Sequence, residues 1–245
     1  MRAVRDGRLS VDILALHIGN GVVTTPVAAG FALLAFAAVA LCVIRGRRDL
    51  DDRLAPMAGL VAAFLFAAQM LNFPVLPGVS GHLLGGVLAA MLVGPWVGAL
   101  CVTVVVIVQA LVFSDGGLTA LGLNITNMAL LGTAAGYAVV ALLLRLVPRT
   151  RRGLAVAAFA GSMVSVVIAA LGFLVQYRIG GGVALDGQTF GDIALLLIGV
   201  HLAIGIGEGL ITALTVGTVA SARPDLVYAL HGAALRTPIP QGAPA

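Results

Sequence analysis

Charge is scarce in this chain. Only 10% of its 245 residues are Asp, Glu, Lys or Arg, against roughly 25% in soluble domains. That excludes an ordinary soluble globular protein. Lysine is missing altogether, and all 14 basic residues are arginines. No phosphate-binding loop of the form GxxxxGKS/T occurs, so the chain is not itself an ATPase. No HExxH pair occurs either, and no serine–histidine or paired-carboxylate arrangement supports hydrolytic chemistry. The two cysteines, Cys42 and Cys101, lie inside apolar runs without CxxC spacing and read as small core hydrophobes. Glutamate occurs once, as Glu208.

What the chain has is apolar sequence. Hydrophobic residues make up 60% of it, and the mean hydropathy is +1.11. These values predict an all-α integral membrane protein. Seven apolar segments can be counted, at 25–44, 56–73, 83–93, 97–113, 121–144, 154–175 and 190–220. A span needs about 20 residues, so a single bundle of about seven transmembrane helices is expected, the third short and broken. No polar stretch is long enough for a separate soluble domain.

Arginine placement sets the orientation. Arg45, Arg47, Arg48 and Arg53 follow the first segment; Arg145, Arg149, Arg151 and Arg152 follow the fifth; Arg223 and Arg236 follow the seventh. The loops after the second, fourth and sixth carry Arg178 alone. The positive-inside rule puts the ends of odd segments in the cytoplasm, with the amino terminus outside and the carboxyl terminus inside. The eleven-residue third segment must cross for this pattern to hold, with the irregular stretch 74–81 as its outer half. The polar chain from Ser221 onward is expected to be a disordered cytoplasmic tail, 221–245. Arg2, Arg5 and Arg8 fall on the wrong side, and residues 1–15 lack an apolar signal-peptide core. That segment reads as an extension added to a membrane domain at 16–220.

Polar side chains gather on the outer side. His82 stands at the start of the short third segment, beside broken backbone in NFPVLPGVSGHLLGG. Irregular backbone at membrane depth needs protein or a polar cavity around it, so His82 is either a ligand or a capping histidine. His17 precedes the first segment, as a ligand or an exposed terminal residue. Asp115 lies in an Asp-Gly-Gly turn, and Asn124 and Asn127 open the fifth segment, where they serve as caps, interhelical hydrogen bonders or supports for a ligand. His201 and Glu208 are seven residues apart, on roughly one face of the last helix. They form either a second ligand set or a polar clamp. Ala28, Ala32 and Ala40 give the first helix a small-residue face that allows close approach of another helix.

Four stretches carry a resemblance. LHIGNGVVTTPV at 16–27, AAFLFAAQMLNFPVLPGVSGHLLGGVLAAMLVGPW at 62–96, VQALVFSDGGLTALGLNITNM at 108–128 and HLAIGIGEGLITAL at 201–214 resemble the cobalt/nickel substrate-specific membrane component of energy-coupling factor transporters, the CbiM/NikM family. The resemblance implies a metal importer subunit, not an enzyme, that captures Co(II) or Ni(II) as its transported substrate on the outer face and carries no cofactor of its own. It implies partners: a transmembrane coupling subunit, two cytoplasmic ATPase subunits and a small auxiliary membrane subunit. It also implies a metal site made of the main-chain amine of Leu16, His17 and His82. An amine, a deprotonated amide and two imidazoles supply four nitrogens in a plane, a field that suits Ni(II) and, more loosely, Co(II). Asp115, Asn124 and Asn127 would orient the imidazoles.

The resembling chains begin Met-His, whereas here fifteen residues precede Leu16-His17. Translation starting at codon 16, cleavage after Ala15, or a retained extension with an altered site are the three alternatives. Arg2, Arg5 and Arg8 favour the first. Arginine without lysine, together with abundant alanine, points to a GC-rich bacterial genome; the transporter reading places the chain in the bacterial inner membrane. Two other functions compete. A vitamin-binding subunit of the same transporter class needs an aromatic-rich pocket, and the chain has only nine phenylalanines, three tyrosines and one tryptophan. A metal-dependent intramembrane enzyme lacks the motifs named above.

Overall fold

The apolar runs become helices whose ends fall at proline, glycine and arginine. A computed structural model describes residues 17–52, 54–71, 73–76, 79–148, 150–180 and 189–230. Helix α1 is Thr25–Gly46, with proline in its first turn, and α2 is Leu54–Gln69. A two-stranded antiparallel ribbon follows, β1 Phe73–Leu76 and β2 Val79–Gly81. Then come α3 Gly86–Val93, α4 Pro95–Val112, α5 Leu118–Leu146, α6 Arg151–Gly180 and α7 Phe190–Ala222. Five of these helices are long and apolar enough to cross a membrane. Their outward side chains, such as Leu33, Phe36, Leu111, Leu195 and Leu214, are exposed apolar residues, as lipid contact requires.

The short third helix is the centre of the bundle. All eight residues of α3 are buried. At 1.5 Å per residue it is about 12 Å long, far short of the ~30 Å hydrocarbon core. Glycines at both ends bend the chain sharply: Gly85 has φ +78° and Gly94 φ +87°, values that side chains rarely tolerate. Within the stretch expected to be irregular, 74–76 and 79–81 pair as a ribbon. Its register shifts between Pro74 and Leu76, where proline has no N–H to give. The ribbon supplies its own backbone hydrogen bonds, which free chain at that depth could not.

Close helix contacts rely on missing side chains. A Cβ on Gly98 of α4 would stand 2.7 Å from the backbone nitrogen of Ala90, so α3 and α4 touch backbone to backbone. Gly205 and Gly209 of α7 abut Met163 and Phe159 of α6. Gly122 of α5 lies against the backbone of Ala32. Of the alanine face expected on α1, Ala28 is buried, Ala32 makes this contact while staying exposed, and Ala40 is half-buried. The buried line of α1 runs instead through Ala28, Ala35, Cys42 and Gly46. Gly122→Val is expected to force α1 away and to destabilise the protein by about 1–3 kcal/mol, as overpacking does. Thermal unfolding in detergent measures this; an unchanged midpoint would show that α1 moves freely.

The bundle has two chemically distinct ends. At one, Arg45 lies 5.8 Å over the Trp96 ring, and Gly94 faces Tyr228. Here the expected disorder from Ser221 fails for 221–230, since α7 runs on to Ala222. Pro224–Leu226 and Tyr228–Leu230 form 3-10 turns, because Val227 and Leu230 bury themselves in the core. Residues 231–245, like residues 1–16, lie outside the described residues. At the other end the chain before α1 is bonded to the end of α6, Thr24 N to the Gly180 carbonyl at 2.6 Å. Ile18, Val23, Ala28, Ala120 and Leu123 close a small apolar cluster there. His17 and His82 sit at this histidine end.

Candidate metal centre

The segment 17–20 is held by amides. Asn124 acts as a strand edge for Ile18: its Oδ1 accepts the Ile18 N–H at 2.8 Å, and its Nδ2 donates to the Ile18 carbonyl at 3.2 Å. The Gly117 N–H reaches the same carbonyl at 2.9 Å. Asn20 Oδ1 accepts from the Thr119 backbone and hydroxyl at 2.9 and 2.8 Å. The turn before α5 is shaped around this segment. Gly116 adopts φ +89°, and a Cβ there would be 3.1 Å from His17 Nδ1. His17 is thereby buried at the histidine end.

His82 is placed by its neighbours in sequence. The Leu84 and Gly85 N–H groups donate to the two oxygens of Glu208 at 2.7 and 3.1 Å. Gln69 Nε2 donates to the Leu84 carbonyl at 2.8 Å. The last turn of α2 and the middle of α7 therefore grip the loop from two sides. Within it, His82 Nδ1 is 2.9 Å from the Leu83 carbonyl. A carbonyl only accepts, so Nδ1 carries the proton and Nε2 keeps its lone pair.

The two imidazoles face one another. Their ring centroids are 5.0 Å apart at an interplanar angle of 35°. Three of their four nitrogens, both of His17 and Nε2 of His82, are buried without a hydrogen-bond partner. Buried polar atoms are normally satisfied, and three such atoms on adjacent rings describe a place for a Lewis acid. Burial, and then His82, push the His17 pKa down to about 4, against the pull of Asp115. The His17 ring is therefore neutral, with a free lone pair, at any pH well above that value. Among the described residues no three His, Cys, Asp or Glu side chains converge on one point. His17 and His82 are the two side chains of these types shown in contact there.

The other expected site residues fall into distinct places. Leu16 lies outside the described residues. Asp115 is close enough to act electrostatically on both rings. Asn124 fixes the His17 segment, as above. Asn127 is spent on Gln176 of α6 in a reciprocal amide pair at 2.8 and 2.9 Å. His201 Nδ1 is 2.7 Å from the Leu197 carbonyl one turn back. Glu208 anchors the His82 loop. Sequence reasoning passed over three buried glutamines, Gln69, Gln109 and Gln176. Their signal was an amide inside an apolar run, which is costly unless it has a partner. Asn124→Ala is expected to release Ile18 and with it His17. Metal affinity should fall about 10–100-fold, the usual worth of a residue that orients a ligand; titration of the purified variant with Ni(II) checks this.

The chain as a whole is similar to known proteins. The family model described as the cobalt uptake substrate-specific transmembrane region matches residues 17–226. A chain from Archaeoglobus fulgidus that carries the name of a fused nickel transport protein, NikMN, is 38% identical over 216 residues, covering 86% of this chain and 68% of that one. A cobalt transport protein, CbiM, of Sorangium cellulosum is 31% identical over 221 residues, covering 88% and 96%. A crystal structure of a truncated transition metal transporter superposes with a TM-score of 0.73 at 26% identity, covering 84% of this chain and 99% of that one.

Proposed function

Since the chain belongs to the cobalt uptake substrate-specific transmembrane family, we propose that it captures Co(II) or Ni(II) at the outer face of a bacterial inner membrane, as the substrate-binding subunit of an energy-coupling importer. The observation that carries this reading is the His17–His82 pair, with three buried nitrogens that have no partner. Imidazole nitrogen suits borderline transition metals, whereas Mg(II) and Ca(II) prefer oxygen. His82 contributes Nε2, because its Nδ1–H is committed to Leu83. His17 contributes a ring nitrogen and its main-chain amide, and the amine of residue 16 completes a four-nitrogen plane when it is free. Binding at a deprotonated amide releases a proton, so affinity rises with pH.

The arginine excess at the opposite end of the bundle supports an outward-facing histidine end, with the amino terminus outside and the carboxyl terminus in the cytoplasm. Energy comes from other chains in this reading: two cytoplasmic ATPase subunits and a transmembrane coupling subunit, with a small auxiliary membrane subunit assisting capture. The test is equilibrium titration of the purified protein in detergent. Saturable binding of one Ni(II) or Co(II), undisturbed by excess Mg(II), is expected. Absence of binding to either metal, from a chain starting at residue 16 as well as from the full chain, rejects the proposal.

A further inference from the structure

This inference rests on the metal-capture reading. The two imidazoles are buried, so a hydrated divalent ion has to shed water before it reaches them, and stripping water from a charge is costly. Neutral nitrogens pull weakly on a distant cation, whereas the field of a carboxylate extends well beyond contact. Three carboxylates among the described residues lie away from the arginine end. Glu208 spends both oxygens on the Leu84 and Gly85 N–H groups. Asp192 closes the capping box of α7 with Thr189. The third, Asp115, has a carboxylate with no hydrogen bond or ion pair among the described residues.

The turn that carries Asp115 borders the His17 ring. Asp115 and Gly116 are part-exposed, and a Cβ on Gly116 would stand 3.1 Å from His17 Nδ1. The boundary between water and the buried ring therefore runs along these two residues. Ser114, just before them, has φ +54° and is the one non-glycine residue with a positive φ among the described residues. A serine held in the left-handed region marks strain, which tends to be kept where function needs it. The turn is tied down on both sides: the Asp115 N–H reaches the Gln109 carbonyl of α4 at 3.1 Å, and the Gly117 N–H reaches the Ile18 carbonyl at 2.9 Å. The charge of Asp115 acts on both rings, yet it holds neither in place. Both His17 nitrogens and His82 Nε2 are without partners, and His82 Nδ1 is on Leu83. A carboxylate that orients a ligating histidine accepts its N–H, and Asp115 does not.

We propose that Asp115 is the entry residue of the metal site: its carboxylate draws hydrated Ni(II) or Co(II) to the mouth, takes the place of part of its water, and gives it up to the nitrogens of His17 and His82. Imidazole nitrogen suits these metals better than carboxylate oxygen does, so the transfer runs inward. Four nitrogens in a plane leave no position there for the carboxylate once the metal is seated. The role is kinetic. It speeds capture and does not hold the bound ion.

The experiment follows Ni(II) loading of full-length wild type, D115N and D115E in detergent. Stopped-flow absorbance of the ligand-field band gives the association rate, and release into excess EDTA gives the dissociation rate. D115N is expected to load about 10–100-fold more slowly, the range of electrostatic steering, with a dissociation rate that does not rise and an absorption band that does not move. D115E keeps the charge and loads near the wild-type rate. Added NaCl slows the wild type more than D115N, because it screens the field that D115N lacks. If D115N does not fold, as thermal unfolding without metal shows, D115S takes its place with the same expectations. An unchanged association rate in the neutral variant overturns the proposal. So does a dissociation rate that rises or a band that shifts, since Asp115 would then hold the bound metal or its ligands. Equal slowing in D115E and D115N also overturns it, because the charge would not be what matters. Each of these defeats this proposal alone. A wild-type chain that binds no Ni(II), full-length or starting at residue 16, defeats the metal-capture reading with it.

Discussion

His82→Ala abolishes tight binding of Ni(II) and Co(II), and with it metal uptake, while the protein still folds and inserts. The expected loss exceeds the roughly 100-fold attached to a supporting residue, because a ligand itself is removed. The fold should survive for a specific reason. The His82 loop is not held by the imidazole. It is held by Leu84 and Gly85, whose N–H groups reach Glu208, and by the Leu84 carbonyl, which accepts from Gln69. Alanine also removes a buried nitrogen that has no partner in the metal-free protein. Titration measures the affinity, and thermal unfolding without metal measures the fold. Wild-type affinity in the variant would remove His82 from the site.

The membrane layout was legible because hydrocarbon imposes length and polarity on every span. The apolar segments match the helices to within a few residues wherever proline, glycine or arginine closes them, as at Gly94-Pro95 and Arg145–Arg152. The third segment was read as short and broken from its eleven residues and its flanking glycines, and α3 is shorter still. The alternation of arginines is the ground for expecting it to cross; in the structure Arg45 beside Trp96 and Tyr228 beside Gly94 bring the ends of α1 and α3 and the chain after α7 together at one end of the bundle.

Other features left no periodic trace. Residues 125–132 of α5 are π-helical. In a run that is apolar on every side, a change in residues per turn does not disturb the hydrophobic pattern. The strands 73–76 and 79–81 read as irregular because the prolines and glycines in and between them hide any alternation in the sequence. The pairing of His17 with His82 spans sixty-five residues. It came from resemblance, since the contact depends on Asn124 holding Ile18 rather than on any spacing. The expectation of disorder failed over 221–230 because Val227, Tyr228 and Leu230, outnumbered by polar neighbours, still pack at the end of α3. In the sequence Glu208 stands as an intramembrane carboxylate with two candidate roles. Only the geometry gives its partners, which are main-chain N–H groups that sequence cannot distinguish from any others.

Those partners make Glu208 the second large effect. Glu208→Leu is expected to lower stability and metal affinity together, in contrast to His82→Ala. The carboxylate is buried, and each of its oxygens accepts one N–H, from Leu84 and from Gly85. Both donors sit where α3 begins, at a turn that depends on Gly85 in the left-handed region. Hydrogen bonds to a charged group contribute about 1.5–3 kcal/mol each, and a buried donor left without a partner costs about 1–3 kcal/mol. Leucine strands two donors, so a loss of roughly 2–6 kcal/mol follows. Glu208→Gln separates the geometry from the charge. Its carbonyl can serve one N–H, but its amide nitrogen presents a donor to the other. An intermediate loss of stability is expected, with metal affinity reduced because His82 is two residues from Leu84. Thermal unfolding and Ni(II) titration on the same preparations give both quantities. A Glu208→Leu protein that unfolds with the wild type but fails to bind metal would show that the carboxylate acts on the metal directly, and would overturn its assignment as the anchor of the His82 loop.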